Sequence, residues 1–260
     1  MIFIFSPTFS WLKGRFTEAD TYYSHGFLVP LVSLFLIYRK KEELLKTPQK
    51  NTLSGIFIIF LGLMIHLIAL RWGINFVSAF SLIIVLFGLF LALWGREVTG
   101  KNMFALLFLI FMVPLPKVLI IAISFKLKIL VASFSANIIN AAGIPALRMG
   151  SVIQLPNTTV TVGDPCSGLR SLISLLALGV LYAYMSNLSR GKKIILFLST
   201  IPIAVIANII RIVLLLFVAY VYGREFATGK FHDFSGFVVF IIALMFLMFI
   251  GRVLSWQKKS

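Results

Sequence analysis

One cysteine, three histidines and eight acidic residues are all that 260 positions offer to metal binding, redox chemistry or acid catalysis. The lone cysteine, Cys166, excludes an intramolecular disulfide and any multi-cysteine metal site, leaving an apolar packing thiol or a nucleophile. No His/Asp/Glu cluster has metal-ligand spacing and no Gly-rich phosphate loop is present, so no metal and no cofactor is expected. Repeats and low-complexity linkers are also missing, and residues 1–260 read as a single integral membrane domain. Charge is scarce too, at 12%, while 60% of the residues are hydrophobic. A soluble domain of this length cannot hide so much apolar surface behind a wettable exterior.

What is there instead is a succession of apolar runs: 53–70, 75–94, 103–122, 167–185, 194–222 and 236–251, with a shorter one at 27–38. Most approach or exceed the roughly 18 residues that mark a membrane span, so the lipid bilayer is the expected solvent and partner. The short run needs interfacial anchors, which Tyr22, Tyr23, Tyr38 and Arg39 supply. Met1–Phe5 is apolar but lacks a basic flank and a small-residue cleavage site, so it does not read as a signal peptide.

The formal charge of +16 would point to nucleic acid in a soluble protein. Here Lys and Arg sit in short loops beside apolar runs, with no basic face interleaved with aromatics, so nucleic acid is not an expected partner. Loops 39–52, 95–102, 186–193 and the tail 252–260 hold thirteen of them, against six in 13–23, 71–74, 143–166 and 223–235. That bias places the first set in the cytoplasm. Parity then requires an odd number of crossings between residues 102 and 143, and forty residues cannot make three. The expectation is one span at 103–122, broken near Pro114 and Pro116, followed by an interfacial helix at 124–142. In that helix Lys126, Ser133, Asn137 and Asn140 share a polar stripe. If 124–142 is inserted instead, the count rises from seven spans to eight. Outside the membrane, Val152–Leu155 and Thr158–Val162 flank Pro156-Asn157 as a small hairpin that delivers the chain to Asp164-Pro165-Cys166. The fold class is all-α, a polytopic transmembrane helical bundle with this outer hairpin.

Three polar features converge on the outer face. Cys166 sits at or just before the N-terminus of a helix that begins near Ser167, where backbone N–H groups and the helix dipole favour a thiolate. Arg170, at i+4, shares its helical face. Arg211 lies 17 residues past Ile194, about 25 Å along a helix and so near the outer boundary of a hydrocarbon core about 30 Å thick. An arginine inside a span is costly and usually functional. His232 follows in the outer loop before the last span. Thiol, imidazole and guanidinium at one level suit acyl transfer: nucleophile, proton carrier and oxyanion partner.

Cys166-Ser167-Gly168-Leu169-Arg170-Ser171, then Ala207-Asn208-Ile209-Ile210-Arg211-Ile212, then Phe231-His232-Asp233 resembles, in order and setting, the exosortase/archaeosortase family. Tyr23-Ser24-His25-Gly26-Phe27-Leu28-Val29-Pro30 and Val113-Pro114-Leu115-Pro116 are similar to the same family's earlier signatures. The resemblance implies a membrane cysteine transpeptidase of the cytoplasmic membrane with an extracytoplasmic site. Its substrates would be membrane-anchored proteins whose C-terminal sorting signal (short motif, transmembrane helix, basic tail) is cleaved near the motif. Cys166 would be the nucleophile, Arg211 the transition-state stabiliser and His232 the general acid/base, with Arg170, Asn208 and Ser167 supporting.

His25 and Tyr23, just before the first span, read equally as supporting or substrate-motif contacts and as interfacial residues with their rings at headgroup level. His66, in mid-span, reads as a satisfied bundle histidine. The rivals to an enzyme are a transporter, for which no inverted halves or paired broken spans appear, and a structural subunit of an envelope polysaccharide export system.

Overall fold

A computed structural model describes residues 3–18, 21–48, 52–163 and 166–256. The chain divides into two units, residues 1–116 and 117–260. Both are mostly helical. Five helices are long and apolar enough to cross a membrane: Leu53–Arg71, Asn75–Lys101, Lys117–Ala141, Arg190–Tyr222 and the Phe234–Trp256 part of the last one. Shorter apolar helical segments cover Ser24–Arg39, Met103–Met112 and Leu169–Met185.

The first unit holds α1 (Ser6–Thr17), α2 (Leu28–Arg39), the short α3 (Lys41–Leu45), α4 (Leu53–Arg71), α5 (Asn75–Lys101) and α6 (Met103–Phe108). Its centre is the α4–α5 hairpin. A side chain at Gly55 would meet the Ala92 backbone and one at Gly88 the Ile59 backbone, so small residues let the two helices approach closely without a large side chain between them. Helix α1 had no sequence signal, because Ser, Thr, Lys and Arg dilute its apolar positions. It is fastened by buried polar bonds. His66, fully buried, bonds through Nδ1 to Ser78 Oγ (2.9 Å) and through Nε2 to the Ile4 carbonyl (3.0 Å), and Ser78 Oγ meets Thr8 Oγ1 at 2.6 Å. That is the satisfied bundle histidine expected at this position.

The helix expected over 103–122 does not run through. It stops at Met112, Val113–Pro116 is not helical, and α7 (Lys117–Ala141) is one continuous helix of 25 residues. The break thus falls at the two prolines rather than after residue 122. The reason is local: proline removes a backbone donor and bars the helical conformation of the residue before it, and no such signal exists at residue 123. The expected helix at 124–142 is therefore part of a longer element with enough apolar length to cross.

In the second unit, α7 is followed by three short strands, β1 (Leu147–Met149), β2 (Val152–Gln154) and β3 (Thr159–Thr161), then α8 (Leu169–Met185), α9 (Arg190–Tyr222), α10 (Arg224–Thr228) and α11 (Lys230–Trp256). The expected hairpin is present as β2 and β3, with Ile153 opposite Val160, and β1 adds a third strand in the order β1-β2-β3. Alternation buries Ile153, Leu155, Val160 and Val162 against Val131, Ala136 and Ile139 of α7 and Ile212, Leu216 and Ala219 of α9. A second cluster joins α8, α9 and α11 through Leu175, Leu196, Ile203 and Leu247. Helix α9 is common to both, and its buried stripe Ala204, Asn208, Arg211, Leu215 at spacings of four, three and four carries the polar residues into the core.

Candidate active site

The second unit brings together Cys166, Asn208, Arg211 and His232. Cys166 Sγ lies 2.7 Å from His232 Nε2. Arg211, only 8% exposed, donates from Nη2 to the His232 carbonyl at 2.9 Å. The same Nη2 stands 3.3 Å from Nε2 and 3.5 Å from Nδ1 of the imidazole. Its Nε reaches Ser235 Oγ at 3.4 Å, and that hydroxyl donates to the His232 carbonyl at 2.8 Å. Three residues earlier on α9, and so one turn away on the same face, Asn208 Nδ2 donates to the Cys166 carbonyl at 3.0 Å. One helix therefore holds both the segment bearing the thiol and the turn bearing the imidazole.

Local sequence explains these placements. Gly168 has φ +81, a conformation glycine adopts without penalty, and a Cβ there would lie 2.7 Å from the Asn208 amide. The glycine thus both turns the chain into α8 and makes room for the asparagine. Gly236 plays a matching part on α11: a Cβ would stand 2.9 Å from Arg211 Nη2, so the guanidinium lies over a bare helix surface. Beneath it a cavity of about 10 Å3 is lined by Ser171, Asn208, Arg211 and Gly236, space for about one water.

Several expectations need correction. The helix after the cysteine begins at Leu169, not near Ser167, with Gly168 as its cap. Cys166 therefore lies just before the helix, two residues ahead of its cap, and does not share a helical face with Arg170. Burial pushes the Cys166 thiol above its ordinary value, and the Arg211 charge and a backbone hydrogen bond from Gly163 offset this only in part. The cation acting on the sulfur is Arg211 rather than Arg170. Ser167, 1% exposed, turns its hydroxyl to the Leu169 N–H at 3.3 Å and so supports the turn. His232 belongs to the first turn of α11 instead of a free loop. Asp164 and Pro165 lie outside the described residues.

Tyr23 and His25 belong to the first unit and have structural work there. Tyr23, 2% exposed, accepts the Leu115 N–H at its hydroxyl (3.0 Å), and His25 bonds to the backbone of Phe111. Together they bracket the Val113–Pro116 break. Ser235 and Gly236 carried no sequence signal of their own. A serine and a glycine in an apolar helix are ordinary, and only their spacing of three and four from His232 hinted at a shared face.

Among the described residues no group of three His, Cys, Asp or Glu side chains is placed to hold a metal. No curated protein and no solved structure matches the chain. A family model described as transmembrane exosortase (Exosortase_EpsH) matches residues 13–249, nearly the whole chain and all of the residues just described. With its apolar helices this makes the protein a multi-pass membrane protein, and the chain belongs to the transmembrane exosortase family.

Proposed function

We propose that the protein is a membrane cysteine protease/transpeptidase that removes the C-terminal sorting signal of exported, membrane-anchored proteins at the outer face of the cytoplasmic membrane. The observation that carries this reading is the 2.7 Å contact between the only thiol of the chain and His232 Nε2, with Arg211 Nη2 3.3 Å from the same nitrogen. In the proposed reaction the thiol passes its proton to His232 as sulfur bonds to a peptide carbonyl carbon. The oxygen of that carbonyl takes up negative charge beside Arg211, whose field is little screened in a buried setting. As the tetrahedral species collapses, the C–N bond breaks, and the departing amine takes the proton from His232. The thioester left on Cys166 is then opened by an acceptor nucleophile or by water.

Burial favours the S–H form of this thiol, so in the proposed reaction the proton passes to His232 during the attack itself. This is general-base catalysis, distinct from that of a preformed thiolate. Family membership favours the enzyme over a transporter or a structural subunit, neither of which requires a thiol beside an imidazole.

The experiment compares the C-termini of membrane-anchored proteins in cells carrying the wild type, Cys166→Ser or Cys166→Ala. Proteins ending in motif, helix and basic tail are expected to lose that tail only with the wild type. Normal processing by both variants, at normal expression, would remove Cys166 from the chemistry and overturn the reading.

A further inference from the structure

The small sheet has two edges, and only one is blocked. Leu155 N–H donates to the Thr158 carbonyl (2.8 Å) and Val162 N–H to the Ser151 carbonyl (2.9 Å), with Val160 opposite Ile153 between them. Residues 158, 160 and 162 therefore turn their N–H and C=O groups toward β2. By the alternation of an antiparallel strand, Thr159 and Thr161 turn theirs the other way. Both threonines are exposed, and among the described residues β2 is the only strand paired with β3.

At the opposite edge, residues 146 and 148 of the β1 segment face outward by the same alternation. Asn140 occupies both groups of Ala146, donating from Nδ2 to its carbonyl (2.8 Å) and accepting its N–H at Oδ1 (2.7 Å). The other position carries Arg148, a charge of the kind that deters strand addition. The β3 edge has neither device. Its residues are uncharged and β-branched, and they present donors and acceptors at strand spacing. That strand also runs into the nucleophile: Cys166 follows Thr161 by five residues, at most about 17 Å of chain. Cys166 packs against the same cluster as Val160 and Val162.

We propose that the open edge of β3 is the docking site for an extended segment of the substrate polypeptide, which adds to the sheet as a fourth strand through the backbone groups of Thr159 and Thr161 and is thereby led to Cys166. The inference rests on the reading of Cys166 as the nucleophile. Alternating N–H and C=O groups on an uncharged edge match another peptide backbone. They match neither a sugar nor a lipid headgroup, which lack that repeat.

The probe is a synthetic decapeptide spanning the cleavage site of a protein whose tail is lost with the wild type and kept with Cys166→Ala. Two further copies carry backbone N-methyl groups at alternate residues, one in each register. Purified protein in detergent is alkylated at its single cysteine, and protection by each peptide is measured. Methylation in one register is expected to raise the half-protecting concentration at least tenfold, at about fivefold for each lost hydrogen bond, and in the other register to leave it unchanged. Thr161→Pro removes one N–H that serves no bond among the described residues and should weaken protection by the unmodified peptide about fivefold. Thr161→Val and Arg148→Pro should not. Unprotected alkylation at the wild-type rate verifies that Thr161→Pro is folded; if it is not, the two registers alone decide. Equal tolerance of both registers, or wild-type protection in folded Thr161→Pro, would overturn the docking site while leaving the nucleophile assignment standing. Processing by Cys166→Ala would instead remove the reading beneath it.

Discussion

Replacing Gly168 by alanine tests the geometry of the site without touching any of its reacting groups. Two costs add at this position. An alanine held at φ +81 costs about 1–2 kcal/mol. Its Cβ would also stand 2.7 Å from the Asn208 amide, which must move and give up its bond to the Cys166 carbonyl. Asn208 is 4% exposed, so water cannot replace that partner freely, and the loss is about 1–3 kcal/mol. Gly168→Ala should therefore destabilise by about 2–5 kcal/mol in all. In an Asn208→Ala background the second cost has already been incurred, and only the backbone strain of about 1–2 kcal/mol remains. Burial of the single thiol supplies the assay: the fraction of Cys166 alkylated by excess maleimide is followed as denaturing detergent is added, for the wild type, both single variants and the double variant. The expected coupling is about 1–3 kcal/mol. An equal cost of Gly168→Ala in the two backgrounds would refute the contact between loop and helix, and with it the idea that α9 positions the cysteine.

Arg211→Lys keeps the charge but cannot span Ser235 and His232 together, and processing should fall by about a hundredfold or more; Arg170→Lys should remain active, and the reverse result would exchange their roles. Because Arg211 lowers a thiol pKa that burial raises, Arg211→Gln should move the rise of alkylation rate with pH to still higher pH. A shift to lower pH, or no shift, would mean that the guanidinium does not act on the sulfur. A membrane-impermeant maleimide should label Cys166 from outside intact cells, slowly because the thiol is half-buried; labelling only after the inner face is opened would reverse the proposed orientation. Tyr23→Phe leaves the Leu115 N–H without its partner and should lower the thermal stability of the purified protein by about 1–3 kcal/mol, a cost whose absence would show that water replaces the hydroxyl.

The parts of this architecture that could be read from residues alone are those in which one physical signal dominates. Long apolar runs announced α4, α5 and α9. Pro156-Asn157 between β-branched residues announced the β2–β3 turn, and an arginine within a span drew attention to Arg211. Cys166 and His232 were recognisable through the motifs around them; spacing by itself left the cysteine an ambiguous packing residue. Features set by tertiary context stayed hidden. Helix α1 has no amphipathic stripe worth noticing, yet Phe5 and Leu12 are buried and Thr8 bonds to Ser78. The start of α8 moved by two residues because Gly168 adopts a left-handed conformation, and the burial that pushes the thiol upward is a tertiary effect the sequence does not display. Tyr23 and His25 sit in a motif that draws functional readings, and each also bonds to the backbone beside a proline-broken segment, a contact the sequence did not show. Ser235 was invisible because hydroxyls in helices usually satisfy themselves on the preceding turn, as this one does; its second contact, to Arg211, needs the neighbouring helix to be seen.

The burial that pushes the Cys166 thiol upward also bears on its durability. Peroxides attack thiolates far faster than thiols, so a buried thiol held above its ordinary pKa is slower to oxidise than a free one. The chain contains no second cysteine, and a sulfenic acid formed at Cys166 would find no resolving thiol within the protein. Rescue would depend on a small external thiol, and further oxidation would be irreversible. Under the proposed role, favouring the thiol form thus trades readiness to react for a longer working life of a sulfur that has no spare in the chain.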